Sequence, residues 1–312
     1  MIFSWIKKGL AWPALFIIFS MQAYSIDLNK LRETQHFTVS QNITYAFVVN
    51  NVNSDGFGVT SCIVNKDGTF SSCLPTAPKS SNPYTIDFDN NNNAYLSNSS
   101  SNTISYCPVN YNGILSICNL SNTNITSPMG IAFFSGYAFI SNYSGNSVSY
   151  CKQNYDNTLS NCGNTLYFRF KEPRRITIQN GIAYITGDSK ETITYCFIKN
   201  RQLAHCNETG STFNNSRRIV FNNKYAFILN NGGDSVSVCN ENSDGTLVNC
   251  RIKAVGFNNA NDLAIFNNFA YIVNNEDDSV SKCNIQSDGS LTNCNLTGYN
   301  FQNPTSIAIY TP

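Results

Sequence analysis

The run PMGIAFFSGYAFISNYSGNSVSYCKQNYDNTLSNC, residues 128–162, holds four short apolar stretches separated by turn residues. Pro128 to Phe134 reads as a first strand, ended by a tight Ser135-Gly136 turn. Tyr137 to Asn142 reads as a second strand, Ser147 to Cys151 as a third and Thr158 to Cys162 as a fourth. Such stretches, rich in aromatic and β-branched residues and bounded by Asn, Gly and Ser, carry the strand pattern. Sustained helical periodicity is missing from the repeat region. The unit returns about every 44 residues, marked each time by a cysteine pair with ten residues between. The pairs are Cys62 and Cys73, Cys107 and Cys118, Cys151 and Cys162, Cys196 and Cys206, Cys239 and Cys250, Cys283 and Cys294. Only the fourth is one residue tighter. Four strands in a unit of this length make a β-propeller blade.

The ends of the chain decide how the ring closes. Thr44 to Asn50 is a second strand with no innermost strand before it, and Pro304 to Tyr310 is an innermost strand with no blade after it. The two fragments complete one another. The expectation is an all-β, six-bladed propeller with four-stranded antiparallel blades, its C-terminal strand joining the first blade.

The cysteines support the outer hairpin of each blade independently. Their midpoints fall on Asp67-Gly68, Asn112-Gly113, Asp156-Asn157, Asp244-Gly245 and Asp288-Gly289. These are strong hairpin turns, because Gly and Asn tolerate positive φ. Symmetry about the turn places the two cysteines directly opposite one another, within disulfide reach. The fourth unit has Asn200-Arg201-Gln202 at its turn. Zinc sites use tighter spacings, often with histidine, and this chain has only His36 and His205. Six disulfides are expected as staples on the exposed edges, each worth roughly 3 kcal/mol by the chain-entropy argument.

The second strands read Tyr45-Ala-Phe-Val-Val-Asn50, Ala94-Tyr-Leu-Ser-Asn98, Tyr137-Ala-Phe-Ile-Ser-Asn142, Tyr225-Ala-Phe-Ile-Leu-Asn230 and Ala270-Tyr-Ile-Val-Asn274. They resemble the YVTN-type repeats of lactonase-like β-propeller proteins, over residues 41–312. Ala183-Tyr-Ile-Thr-Gly187 departs by replacing the closing Asn, and the paired cysteines are outside the usual motif. The resemblance implies the fold. Members of that family are enzymes only in part, so it implies little about activity. The recurrent Asn is expected to set turn geometry by bonding nearby backbone.

Residues 1–25 read as a secretory signal. Lys7 and Lys8 precede an apolar run from Leu10 to Met21, and Ala23-Tyr-Ser25 offers a cleavage site. Residues 26–40 are a lead-in, and 41–312 the propeller. No later stretch reaches membrane-spanning length. The expected location is secreted, periplasmic or extracellular, where paired cysteines oxidise. Charged residues make up only 12% of the chain and the net charge is +1, so no basic field points to nucleic acid. The chain is expected to be a monomer.

Candidate site residues lie where each innermost strand begins, on the axial face. Arg174-Arg175 and Arg217-Arg218 fall on neighbouring blades. Together they could grip a carboxylate, sulfate or phosphate. Alternatively they form local ion pairs, Glu172 with one arginine and Asp262 with Arg218. Asp87 replaces the small residues Ala132, Thr177, Val220, Ala264 and Ala308 of the other blades. Asp87, Asp262 and Asn261 are the axial groups a calcium ion would use, a thin set against the six to eight oxygens it takes. No catalytic triad, phosphate loop or metal motif is present, and no cofactor is expected. The expected role is a non-enzymatic scaffold that engages a protein or glycan through its axial face. The alternative is a lactonase-like hydrolase with an axial metal or water.

Intact mass before and after reduction and alkylation checks the cysteine reading. Native protein should show no free thiol, and one zinc per pair would overturn the disulfides.

Overall fold

The computed structural model describes residues 43–51, 58–76, 83–122, 125–165, 167, 170–188 and 191–312. The signal segment, the lead-in and His36 lie outside the described residues. Six four-stranded antiparallel sheets are arranged as blades. Blade 1 is ordered Pro304–Tyr310, Tyr45–Asn50, Val59–Val64, Phe70–Pro75 from the axis outward. The innermost strands of blades 2 to 6 are Thr85–Phe88, Pro128–Phe134, Pro173–Gln179, Ser216–Asn222 and Ala260–Phe266. Closure is therefore the one expected, with Phe47 paired to Ala308 and Val48 to Ile307.

Burial falls from the axis side to the rim. Tyr45–Asn50 is buried at every position, because a blade packs on both of its faces. Leu159–Thr165, an outermost strand, is buried only at Leu159. The apolar core is split into six clusters, each between two neighbouring blades. Phe47 and Val49 of blade 1 meet Ile86 and Leu96 of blade 2, for example, and Val273 of blade 6 meets Val48.

All six expected disulfides form. They fit an oxidising, extracytoplasmic compartment. Their register differs from the expectation of directly opposed cysteines. In blade 1, Ile63 pairs with Ser71 while Ser61 pairs with Leu74, so the outer strand carries one extra residue at the cysteine. The same bulge recurs in blades 3, 4, 5 and 6. The residue before the outer cysteine takes a left-handed conformation: Ser72, Asn161, His205, Asn249 and Asn293. The turn explains why. Asn65 and Thr69 close a three-residue loop with Gly68 at φ +80°. An odd loop and an eleven-residue separation cannot place the cysteines opposite without one inserted residue. Blade 4 keeps the bulge and shortens the turn to Asn200-Arg201, both at positive φ, which accounts for its tighter spacing.

Each turn tip presses on the preceding blade. A Cβ on Gly113 would lie 2.3 Å from the Tyr45 ring, and one on Gly68 2.7 Å from Phe269. Tyr95, Tyr184 and Tyr271 donate their hydroxyls to the turn carbonyls of Asn157, Gly245 and Gly68 on the next blade. These tyrosines belong to blades 2, 4 and 6. Blades 1, 3 and 5 carry Phe47, Phe139 and Phe227 at the same place in the second strand.

Two of the closing asparagines bond backbone as expected, Asn50 and Asn274 accepting at Oδ1 from the Gln302 and Asn258 amides, and the set bonds side chains as well. The Nδ2 of Asn142 donates to the hydroxyls of Ser147 and Ser149, at 2.9 and 2.8 Å. Asn98, Asn230 and Asn274 repeat the pattern on the third strands of their blades. They tie strand to strand through side chains. In blade 4 a Cβ at Gly187 would sit 2.6 Å from the Lys171 carbonyl oxygen, so the motif gives way to glycine.

Urea denaturation of two variants tests the clasp between blades. Gly136 has φ +76° and nothing near its missing Cβ, so Gly136→Ala should cost about 1–2 kcal/mol for its backbone alone. Gly113→Ala must also displace Tyr45 and should cost about 1–3 kcal/mol more. Equal losses would show that the turn tip contributes nothing to blade packing.

Candidate functional site

Five of the six innermost strands begin with a bulge, among them Pro173/Ile176 and Ser216/Arg218. The extra residue brings two consecutive side chains toward the axis, which alternation in a regular strand forbids. Arg174 and Arg175, and likewise Arg217 and Arg218, use this geometry to form two tiers.

The deeper tier crosses the channel. Arg175 is 3% exposed and donates from Nη2 to Asp262 Oδ2 at 2.8 Å. It also donates to the carbonyls of Met129 on blade 3 and Thr305 on blade 1, each at 3.3 Å. Asp262, 1% exposed, accepts further bonds from Ser306 Oγ and the Ile307 and Leu263 amides. Both of its oxygens are thereby consumed. Arg218 donates to Asp87 Oδ1 on the opposite blade at 3.0 Å and stands 3.8 Å from Asp262. Burial raises the Asp87 carboxyl above its ordinary range, and the nearby arginines offset this only in part. Its second oxygen has no hydrogen-bond partner among the described residues. The expected pairing of Asp262 with Arg218 is thus secondary, because Arg175 holds the carboxylate more closely.

The upper tier is built around a residue the sequence reading did not single out. Asp188 accepts from Arg174 Nε at 2.6 Å and Nη2 at 2.5 Å, and from the Tyr143 hydroxyl at 3.0 Å. Arg217 approaches it to 3.8 Å and donates to Asn231 and Asn261. Arg174 also reaches the Tyr84 hydroxyl and stacks over the Tyr143 ring at 4.9 Å. The counter-ion expected in Glu172 is therefore Asp188. Its position, just past a second strand, placed it on the axial face, and that was the signal available. Burial pushes the Asp188 carboxyl up, but the bonds and charge of Arg174, with Arg217, outweigh it and hold it below its ordinary range. Among Tyr84, Met129, Arg174, Arg175, Arg217 and Asn261 the axis narrows until no water molecule fits.

Beside this rim lies a cleft of about 900 Å³ on the axial face. Tyr143, Glu172, Asp188, Glu191, Phe213 and Asn214 are among its lining residues. No cation among the described residues pairs with Glu172 or Glu191. Among the described residues no group of three or more His, Cys, Asp or Glu could hold a metal ion. His205 sits exposed at an outer-strand bulge, remote from the axis.

No protein-family model and no curated protein matches the sequence. Solved structures match the fold. A chain of the nidogen/laminin complex superposes with a TM-score of 0.69 at 12% identity, over 85% of this chain and 98% of its own. The periplasmic gluconolactonase of Pseudomonas aeruginosa gives 0.59 at 12% identity, over 86% and 100%. An auxiliary nutrient binding protein of Bacteroides ovatus gives 0.57 at 15% identity, over 81% and 80%. At such identities the likeness is one of fold, and it includes the lactonase-like propellers that the repeats resemble.

Asp262→Ala should cost about 3–5 kcal/mol in urea unfolding, because it strands the Arg175 charge in the interior. The double variant Arg175→Met/Asp262→Leu should recover most of that loss. Asp188 acts at the acid end. Its folded-state carboxyl is depressed, so its contribution is present above the unfolded value of about 3.9 and lost as pH falls through the folded value. Asp188→Asn should therefore flatten the acid limb of the stability curve.

Proposed function

We propose that this protein is a secreted binding module that holds a glycan or protein ligand in the axial-face cleft beside Asp188. The cleft itself is the observation that carries the reading. Its volume suits a ligand of several sugar units or a few peptide side chains. Its walls offer the Tyr143 ring edge, exposed amide and hydroxyl groups at Asn214 and Thr212, and the carboxylates of Glu172 and Glu191. Asp188 and Tyr143 stand on its axial side, the first bonded to Arg174 and the second stacked against its guanidinium. Those contacts fix both side chains, so any contact they make with a ligand is preorganised. Export through the segment 1–25 agrees with the six disulfides. Fold kinship with a chain of the nidogen/laminin complex and with a nutrient binding protein supports a binding role by analogy alone.

Lactone hydrolysis is the second reading, favoured by the kinship with a gluconolactonase and by one feature. Asp87 is a buried carboxylate with a raised pKa and an unused oxygen, the state a general base would need. Asp262 could not assist it, since its oxygens are already bonded.

Thermal-shift and calorimetric titration of the mature protein against neutral, sulfated and uronic-acid glycans, calcium and lactones separates the readings. A ligand whose affinity falls about tenfold or more in Glu191→Ala or Asn214→Ala supports the cleft. Binding untouched by both variants, with lactone opening abolished by Asp87→Asn, would replace the binding reading with the hydrolase.

A further inference from the structure

A second cleft, of about 410 Å³, opens between blades 5 and 6 on the face opposite the arginine rim. Three turns surround it: Asn222 to Lys224 in blade 5, and in blade 6 the turns at Asn268 and at Gln286-Ser287. Its floor is Tyr225, Phe227 and Ile285. Phe227 is wholly buried, and Tyr225 is half-buried with the Lys224 ammonium 5.2 Å from its ring centre.

Hydrogen-bond accounting separates used from unused groups. Asn222 donates to the Asn267 carbonyl, Gln286 to Thr292, and the Tyr225 hydroxyl to the Ser287 carbonyl. The side-chain amides of Asn223 and Asn268 have no partner among the described residues, and both residues are exposed at the mouth. Each amide offers two donors and one acceptor oxygen. Carboxylates and arginines are missing from this lining, and Lys224 is its one charged residue. That composition disfavours a cationic guest, and a single exposed lysine is thin support for a phosphate. An apolar floor beneath paired donors and acceptors matches one common chemistry, a pyranose ring with an apolar C–H face and an equatorial fringe of hydroxyls.

We infer that this cleft is a saccharide site, taking a neutral hexopyranosyl unit with its C–H face toward Tyr225 and Ile285. Asn223 and Asn268 bond its hydroxyls, and Lys224 donates at the rim. The volume admits one or two sugar units. This site is independent of the axial cleft and would bind its sugar whatever ligand the other face holds.

Saturation-transfer NMR and calorimetry of the mature protein test it with a panel of neutral disaccharides, maltose, cellobiose, chitobiose and lactose, at millimolar concentration. At least one should bind. Asn268→Ala should weaken it about fivefold, the effect of losing one hydrogen bond. Asn223 has φ +54°, so Asn223→Gly removes its amide without straining the turn and should act similarly. Glu191→Ala, on the opposite face, should leave binding unchanged. The site is overturned if no neutral disaccharide binds, or if binding survives both amide variants. It is equally overturned if Glu191→Ala abolishes binding, which would assign the sugar to the axial cleft.

Discussion

Every apolar cluster among the described residues lies between two blades, so each blade relies on both neighbours to cover its faces. A linear stack would leave two hydrophobic faces in water. The pairing of Pro304–Tyr310 with Tyr45–Asn50 removes both at once. It joins strands from opposite ends of the chain, which makes the final cluster depend on contacts of the largest sequence separation. The cores of blades 1 and 2, and of blades 6 and 1, are complete only when that pairing forms. Inter-blade clasps at the turn tips then lock the ring from outside, and the disulfides hold each clasping hairpin in shape.

The axis is closed by charge. The buried Arg175–Asp262 pair and the part-buried Arg218–Asp87 pair span it. Arg175 joins blade 4 to blades 1, 3 and 6, and Arg218 joins blade 5 to blade 2. Such pairs gain little net stability over apolar packing, because each charge must be taken out of water. They contribute direction instead: a guanidinium aimed at one carboxylate fixes the rotation of one blade against another. At the rim, Arg174 in turn holds Asp188 and Tyr143, two residues that line the axial cleft.

Much of the fold could be read in the sequence because a repeat states the same message six times. Strand order, blade count and disulfide pairing all follow from patterns visible in every unit. The cysteine bulge escaped notice because its cause is parity, the three-residue turn against the eleven-residue spacing, and no residue type announces it. The Asn side chains were assigned to turns because their partners, the serines of the next strand, look like ordinary strand polars. At the site, Arg174, Arg175, Arg217, Arg218, Asp87 and Asp262 meet around the axis, where the innermost strands begin. Their partners were harder, since contacts across the channel join residues far apart in sequence. Asp188 had no repeat to mark it. It is the one acidic residue following a second strand where the other five blades carry Asn51, Ser99, Tyr143, Asn231 and Asn275.

The alternation of Tyr and Phe in the second strands has an arithmetic consequence. Tyr95, Tyr184 and Tyr271 each reach forward to the next blade's turn, whereas Phe47, Phe139 and Phe227 cannot donate. The construction module is therefore a pair of unlike blades, used three times around the circle. Only an even number closes such a sequence without setting two like blades side by side. In a ring of seven, two like blades would have to meet at one seam.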